Sequence, residues 1–381
     1  MLYIQIMDLK QIRHHLHKYP EVSGEEKNTS TFIAEKLNEL GVSKIHQNFV
    51  EHSILAEIDF NVPGKTLLFR AELDALPIEE INTFSHRSTS KNTSHKCGHD
   101  GHMTMLLGLA EKLLEQKEEF SGKVLLLFQS SEETGKGAKN ILKSNILNQF
   151  EIDFAFSLHN VPGYHLGEII TKPHTFTPSV ESLDIELLGK TSHAGMPWKG
   201  TNPAVAIQKL ISHFSSIHQP NVEKRNYFLA TPIYIQMGEK TYGTSAGKAT
   251  LIYTFRSGDH DLFLQQKEEI IQQIEKITQE ENLNFSLIWK EAFEANNNHP
   301  EAFEHIQKAA KQNNYSFIEK EHFFNWGEDF GAFTQIYKGA MFGLGSGIKT
   351  PELHNPDYDF PDELLTFGIS MFYTLTKNLL Q

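Results

Sequence analysis

Residues Lys123–Gln129 read KVLLLFQ, and Ser130 and Ser131 separate them from the acidic pair Glu132–Glu133. A short, unbroken apolar run of this kind predicts a strand covered on both faces, which is the habit of parallel sheets. Ile152–Leu158 (IDFAFSL) repeats the pattern and ends at His159. Working outward, Ile54–Phe60 and Thr66–Ala71 read as two more strands, the second followed by Glu72 and Asp74. Helices fall between them. Asp8 to Lys18 forms one, stopped by Pro20, and Asn28 or Thr29 is expected to cap another that runs to Leu40 before Gly41. A third, from about Met103 to Gln116, carries Leu106, Leu107, Ala110, Leu113 and Leu114 on one face. Alternation of this kind predicts an α/β fold: a mixed, mostly parallel sheet with helices on both faces.

The pattern changes near Thr177–Pro178. Strand Val180–Leu188, helix Pro203–Ile217, strands Ala230–Met237 and Lys248–Arg256, helix Asp261–Glu281 and strand Leu283–Glu291 follow in turn. Asn202 before Pro203 makes a cap and first-position pair. The order β-α-β-β-α-β is that of a ferredoxin-like α+β unit. Alternation resumes after Ala295–Pro300, with a strand at Gly339–Leu344 and a closing helix from about Asp362 to Leu380. The expected domains are therefore 1–177 with 295–381, interrupted by 178–294. A chain of 381 residues is long enough for two cores.

Composition excludes several classes. A formal net charge of −13 argues against nucleic acid as a partner, because phosphate contacts need a basic surface. No apolar run is long enough for a membrane span, and the apolar opening Met1–Ile6 lacks the basic start and length of a signal peptide. With one cysteine no intramolecular disulfide can form, which fits a reducing cytoplasm and leaves Cys97 as a ligand, a nucleophile or a buried thiol.

The chemistry-bearing residues gather at the C-terminal ends of the expected strands, the edge of an open α/β sheet where ligands bind. Glu72, Asp74, Glu132, Glu133 and His159 follow strands directly, and His354 lies beyond Gly339–Leu344. Cys97, His99, Asp100 and His102 are expected in a loop opening into a helix. A thiolate, imidazoles and carboxylates on one edge amount to metal-site chemistry, since such groups are costly to desolvate together without a cation. Glu132 and Glu133, as neighbours on an extended segment, are expected to point apart. One would hold metal while the other takes a proton from the attacking water. A cysteine nucleophile would need a single histidine base at Cys97, fewer ligands than surround it here.

With these residues in place, the sequence resembles the amidohydrolase branch of the aminoacylase and glutamate-carboxypeptidase metallopeptidase family, which includes indole-acetyl-amino-acid hydrolases, hippurate hydrolases and N-acetyl-diaminopimelate deacetylases. The resemblance runs through His17–Glu21, Arg70–Pro77, Cys97–His102, Phe128–Glu133, Leu158–Asn160, Gly189–Pro197, Glu328–Phe330 and Leu353–Pro356. It implies a dinuclear centre of two divalent ions (Zn, Mn, Co or Ni) held by Cys97, His99, Glu133, His159 and His354. By the same resemblance, Glu132 is the general base and later proton donor, Asp74 orients a metal ligand, and His193 on the inserted domain polarises the scissile carbonyl. It further implies that the inserted domain is a lid and dimerisation domain, giving a homodimer.

Three stretches depart from the family pattern. Glu72 replaces an aspartate, Ser130–Ser131 replace Pro-Ala, and Gly243-Thr-Ser-Ala246 replaces the lid motif Asn-Val-Ile-Pro. The expected activity is hydrolysis of an amide bond in N-acyl amino acids or related small acylated amines by metal-activated water. A dipeptidase or aminopeptidase of the same family, and a non-catalytic metal-binding or ligand-binding homologue, are the alternatives.

Overall fold

The computed structural model describes residues 7–381, so the Met1–Ile6 segment weighed above as a signal peptide lies outside the described residues. Helices α1 (Leu9–Lys18) and α2 (Lys27–Glu39) are followed by β1 (Lys44–His46), β2 (Ile54–Asp59) and β3 (Thr66–Glu72). Then come α3 (His99–Glu115), β4 (Lys123–Gln129), α4 (Gly137–Lys143), β5 (Phe154–Pro162), β6 (Ile169–Thr171) and β7 (His174–Thr177). Next are β8 (Ser179–Leu188), β9 (Ser192–His193), α5 (Ala204–Ile217), β10 (Phe228–Met237), β11 (Thr244–Ser245), β12 (Lys248–Ser257), α6 (His260–Glu280) and β13 (Asn284–Phe293). The chain continues through β14 (Asn296–Asn298), α7 (Pro300–Gln312), β15 (Phe317–Glu319), α8 (Gly331–Thr334), β16 (Gly339–Gly347) and α9 (Leu364–Leu380).

By internal contacts the chain forms two compact units. One holds the residues up to Phe176 with Asn296–Phe323 and Glu328–Gln381; the other holds Thr177–Ala295 with Phe324–Gly327. In the first unit, one sheet runs β1-β2-β4-β3-β5-β16-β6-β15. The central strands β4, β3, β5 and β16 are mutually parallel, while β1/β2, β2/β4 and β16/β6 pair antiparallel. Every residue of β3 and β5 is buried, which explains why these strands read as unbroken apolar runs. Leu106, Leu107, Ala110 and Leu113 of α3 join Phe69, Phe156, Phe342 and Phe372 in one apolar core.

The second unit carries the four-stranded antiparallel sheet β10-β12-β8-β13. It has its own core of Leu183, Ile185, Leu210, Phe214, Leu251, Phe255, Ile270 and Ile274. Together with α5 and α6, this is the ferredoxin-like order expected from the sequence. A small ribbon pairs β9 with β11, placing Thr244 opposite His193.

Four local expectations need correction. Neither Asn28 nor Thr29 caps α2: both backbone N–H groups donate to the Glu21 carboxylate, at 3.2 and 2.8 Å, so a side chain from outside the helix does the work. The Cys97–His102 segment is a loop only as far as Gly98. His99, Asp100 and His102 belong to the first turn of α3, whose carbonyl acceptor is Gly98. His159 does not follow its strand but lies inside β5, because β5 outruns its pairing with β3 and continues beside β16, where His159 faces Gly343. Glu132 and Glu133 occupy a tight turn rather than an extended segment, entered through Ser131 at φ 59° and closed by the Gly135 N–H on Glu132 O at 2.7 Å.

Candidate metal centre

Gly98 directs the site. Its φ of 96° lies in the left-handed region, and a Cβ there would collide with the Asn160 amide, so only glycine fits. The bend lets Cys97 precede the helix and His99 open it. His99 Nδ1 donates to the backbone carbonyl of Asp74 at 2.8 Å, which fixes the ring and leaves Nε2 as the atom a cation would meet. That nitrogen is buried without a hydrogen-bond partner, and Glu132 Oε2 and Glu133 Oε1 each stand 4.0 Å from it. His159 is arranged alike: Nδ1 donates to Asn160 O at 2.9 Å and Nε2 lies 3.3 Å from Cys97 Sγ.

The donor atoms form overlapping groups, each with its atoms within 4.8 Å of one another. Cys97, His99 and His159 make one, Cys97, Glu133 and His354 another, and His99, Glu132 and Glu133 a third. Asp74 anchors two of these residues. Its carbonyl orients His99, and its Oδ2 accepts the Glu133 N–H at 2.9 Å and the Ser23 hydroxyl at 2.7 Å. The structure thus brings Asp74, Cys97, His99, Glu132, Glu133, His159 and His354 together. Asp100 turns instead to His17 Nδ1 at 2.9 Å, and His193 lies on the β9–β11 ribbon of the second unit, where its Nδ1 accepts the Gly195 N–H at 3.0 Å and Nε2 carries the ring proton.

Electrostatics point the same way. Burial pushes the Cys97 thiol well up, and Glu133 and Glu132 push it further. Burial, then Glu328, Glu133 and Asp329, raise Glu132 far above the usual carboxylate range. Burial lifts Glu133 to about 7 even though His99 works against it. At His99 burial disfavours the charged ring, but the Asp74 contact and the charges of Glu72, Asp74 and Glu133 prevail and raise it to about 10. Burial holds His159 well below its ordinary value. Acids and imidazoles buried this close together hold protons that a cation would displace, and once deprotonated the thiol, imidazole and carboxyl donors suit borderline divalent ions.

A family model described as peptidase family M20/M25/M40 matches residues 68–378. This chain belongs to that peptidase family. Among M20 relatives, it is similar to a hippurate hydrolase of Campylobacter jejuni, 29% identical over 99% of each chain. It is also similar to an N-acetyldiaminopimelate deacetylase of Priestia megaterium, 30% identical over 88% of each. A solved M20 structure from Bacillus subtilis, described as a dinuclear metal binding peptidase, superposes with a TM-score of 0.82 at 25% identity, covering 98% of this chain and 97% of that one.

Beneath the M20 donor set runs a buried charge network that sequence reading saw only as motif fragments. Arg70, fully buried, pairs with Glu72, with Asp329 and, at 3.0 Å, with Glu328. Gln129 receives Arg70 Nε at 3.0 Å and donates to both Asp329 oxygens. Glu72 also meets His102 Nδ1 at 2.6 Å, and His102 Nε2 reaches Asn160 Oδ1 at 2.6 Å. The extra methylene of Glu72 thus spans Arg70 and His102. The Asn160 amide donates to the Tyr358 hydroxyl at 2.6 Å, a contact with no sign in the sequence because neither residue carries a charge or a metal-ligand signature.

Proposed function

We propose that this M20 member is a metal-dependent amidohydrolase that cleaves the amide bond of N-acyl amino acids or closely related small acylated amines. The observation that carries the reading is the buried, unpartnered Nε2 of His99, faced by two glutamates and sharing its cavity with Cys97 and His159. The substrate class is supported by relatives named for hippurate and N-acetyl substrates.

Cys97, His99, Glu133, His159 and His354 would hold two divalent ions, with Cys97 shared between the two donor groups. When bound, such ions supply Lewis acidity toward the scissile carbonyl and the attacking water. Glu132 is the residue that takes the proton from that water and returns it to the leaving amine. Burial and Glu328 raise its proton affinity, which suits the return of that proton to the leaving amine. Asp74 acts as a positioning residue through His99 and the Glu133 backbone. His193, with its Nε2–H fixed as a donor by the Gly195 contact, is suited to stabilise the developing oxyanion.

The second unit is proposed as the lid and as the surface of a homodimer. The edge strand β10 supports the latter with Ile233, Tyr234, Ile235 and Met237, all exposed. Among the described residues no helix is long and apolar enough to cross a membrane. A cytoplasmic location rests on the lone, unpaired Cys97.

The test is turnover of acetyl-, benzoyl- and indole-acetyl-amino acids by metal-loaded protein, beside dipeptides with a free amine. Release from the acylated compounds that disappears on chelation is expected. Cleavage of dipeptides alone would move the assignment to a peptidase, and no release with metal bound would make the chain a binding protein.

A further inference from the structure

His354 is the least supported of the proposed ligands. It lies outside every helix and strand, its φ is 65°, and its side chain is 52% exposed. What places it is its neighbourhood with Lys96. The His354 N–H donates to Lys96 O at 2.8 Å. Four residues on, Tyr358 O accepts the Lys96 ammonium at 2.8 Å. The turn between them is closed by the Tyr358 N–H on Asn355 O at 3.1 Å. One residue therefore grips both ends of the arm that carries His354, and that residue is bonded directly to Cys97.

The lysine is built into this position. Its side chain is fully buried, with Glu80 Oε1 as the counter-ion. A buried ammonium is tolerated only when paired and hydrogen-bonded, so its burial implies a constraint beyond bulk packing. Glu80 is itself fixed by His17 Nε2 and Asn82 Nδ2, each at 3.1 Å, and by the Ser88 N–H. Tyr358 is fixed at its other end by the Asn160 amide, next to His159. No step of the proposed hydrolysis uses the Lys96 side chain.

We infer that Lys96 is a positioning residue that holds His354 against Cys97 and Glu133, and so sets the affinity for the ion that those three residues share. The inference rests on the metal-dependent reading above. By it, the three-donor group formed with Glu133 and His354 loses its ion when Lys96 is neutralised, whereas the group formed with His99 and His159 keeps its own.

Metal content after dialysis and metal titration, on the full chain loaded with zinc alone, test this. The wild type should hold two ions per chain and Lys96→Met one, with the weaker site losing about 10- to 100-fold in affinity, the usual effect of removing support behind a ligand. A merely structural lysine would add its loss to that of His354→Ala. A positioning lysine would not, so the double variant Lys96→Met/His354→Ala should be no worse than His354→Ala alone. Should Lys96→Met fail to fold, Lys96→Met/Glu80→Gln removes both charges together, and Lys96→Arg should restore the second ion. Two tightly held ions in Lys96→Met, or additive losses in the double variant, would overturn the inference. Fewer than two ions in the wild type would overturn the metal-centre reading with it.

Discussion

At the scale of single residues, the centre is organised by what the far nitrogen of each histidine does. His99 and His159 both spend Nδ1 on a backbone carbonyl, so Nε2 is aimed by the main chain rather than by a flexible partner. Glu132 stands beside these donors without being needed to complete either three-donor group around Cys97. Glu132→Gln should therefore keep its metal while kcat falls about 100- to 10,000-fold, the usual range for general acid–base catalysis. Elemental analysis beside steady-state kinetics checks this; loss of metal would reverse the roles of Glu132 and Glu133. Protons and cations compete for the same atoms here. With Glu133 raised by burial to about 7 and the Cys97 thiol higher still, lowering the pH would protonate these proposed ligands and weaken binding. Metal titrations should give higher affinity at pH 8 than at pH 6, with proton release on binding. His17 gives a separate signature. Burial opposes its charge, but hydrogen bonds to Asp100 and Glu80 raise it to about 9, above the ordinary 6.5. A group whose pKa rises on folding stabilises fully below its unfolded value and loses that contribution as pH climbs through the folded one. The stability gap between wild type and His17→Gln, from urea melts, should therefore be largest near pH 6 and shrink by pH 9.5.

At the scale of elements, the turn from Cys97 into α3 is the critical join. Gly98→Ala places a side chain in a left-handed position and against Asn160, so a loss of about 1–3 kcal/mol is expected, with weakened metal binding because Cys97 and His99 separate. Denaturant melts and metal titration of this variant test both parts; unchanged values would mean that the helix can start elsewhere. The same join shows where sequence reading stops. The strands were legible because β3, β4 and β5 are buried on both faces, and burial writes itself as an apolar run. The candidate donors were legible as a cluster because thiol, imidazole and carboxylate groups stood near strand ends. The extra turn of α3 was hidden because Gly98 reads as a loop residue until its φ is known. The convergence of Glu132 and Glu133 depends on a left-handed Ser131, which no propensity announces. Nothing in the sequence singles out Lys96, and only the fold shows that Glu80 and Tyr358 enclose it.

At the scale of the whole molecule, the two units have separate apolar cores and different sheet types. The division falls between Phe176 and Thr177 and again near Ala295, and it assigns Phe324–Gly327 to the second unit. No pattern in the sequence marks that short return, because it forms neither a strand nor a helix. The homodimer proposed through the exposed apolar side chains of β10 has its own test. Ile235→Lys should shift a dimer to monomer in light scattering while leaving metal content unchanged; a wild-type monomer at high concentration would refute the proposed interface. For the proposed metal centre the decisive measurement is anomalous diffraction from a zinc-loaded crystal at the metal edge. Two peaks are expected, one among Cys97 Sγ, His99 Nε2 and His159 Nε2, the other among Cys97 Sγ, Glu133 and His354. Peaks absent from these donors, or centred instead on Glu72 and His102, would mean that the ions are not held by this donor set.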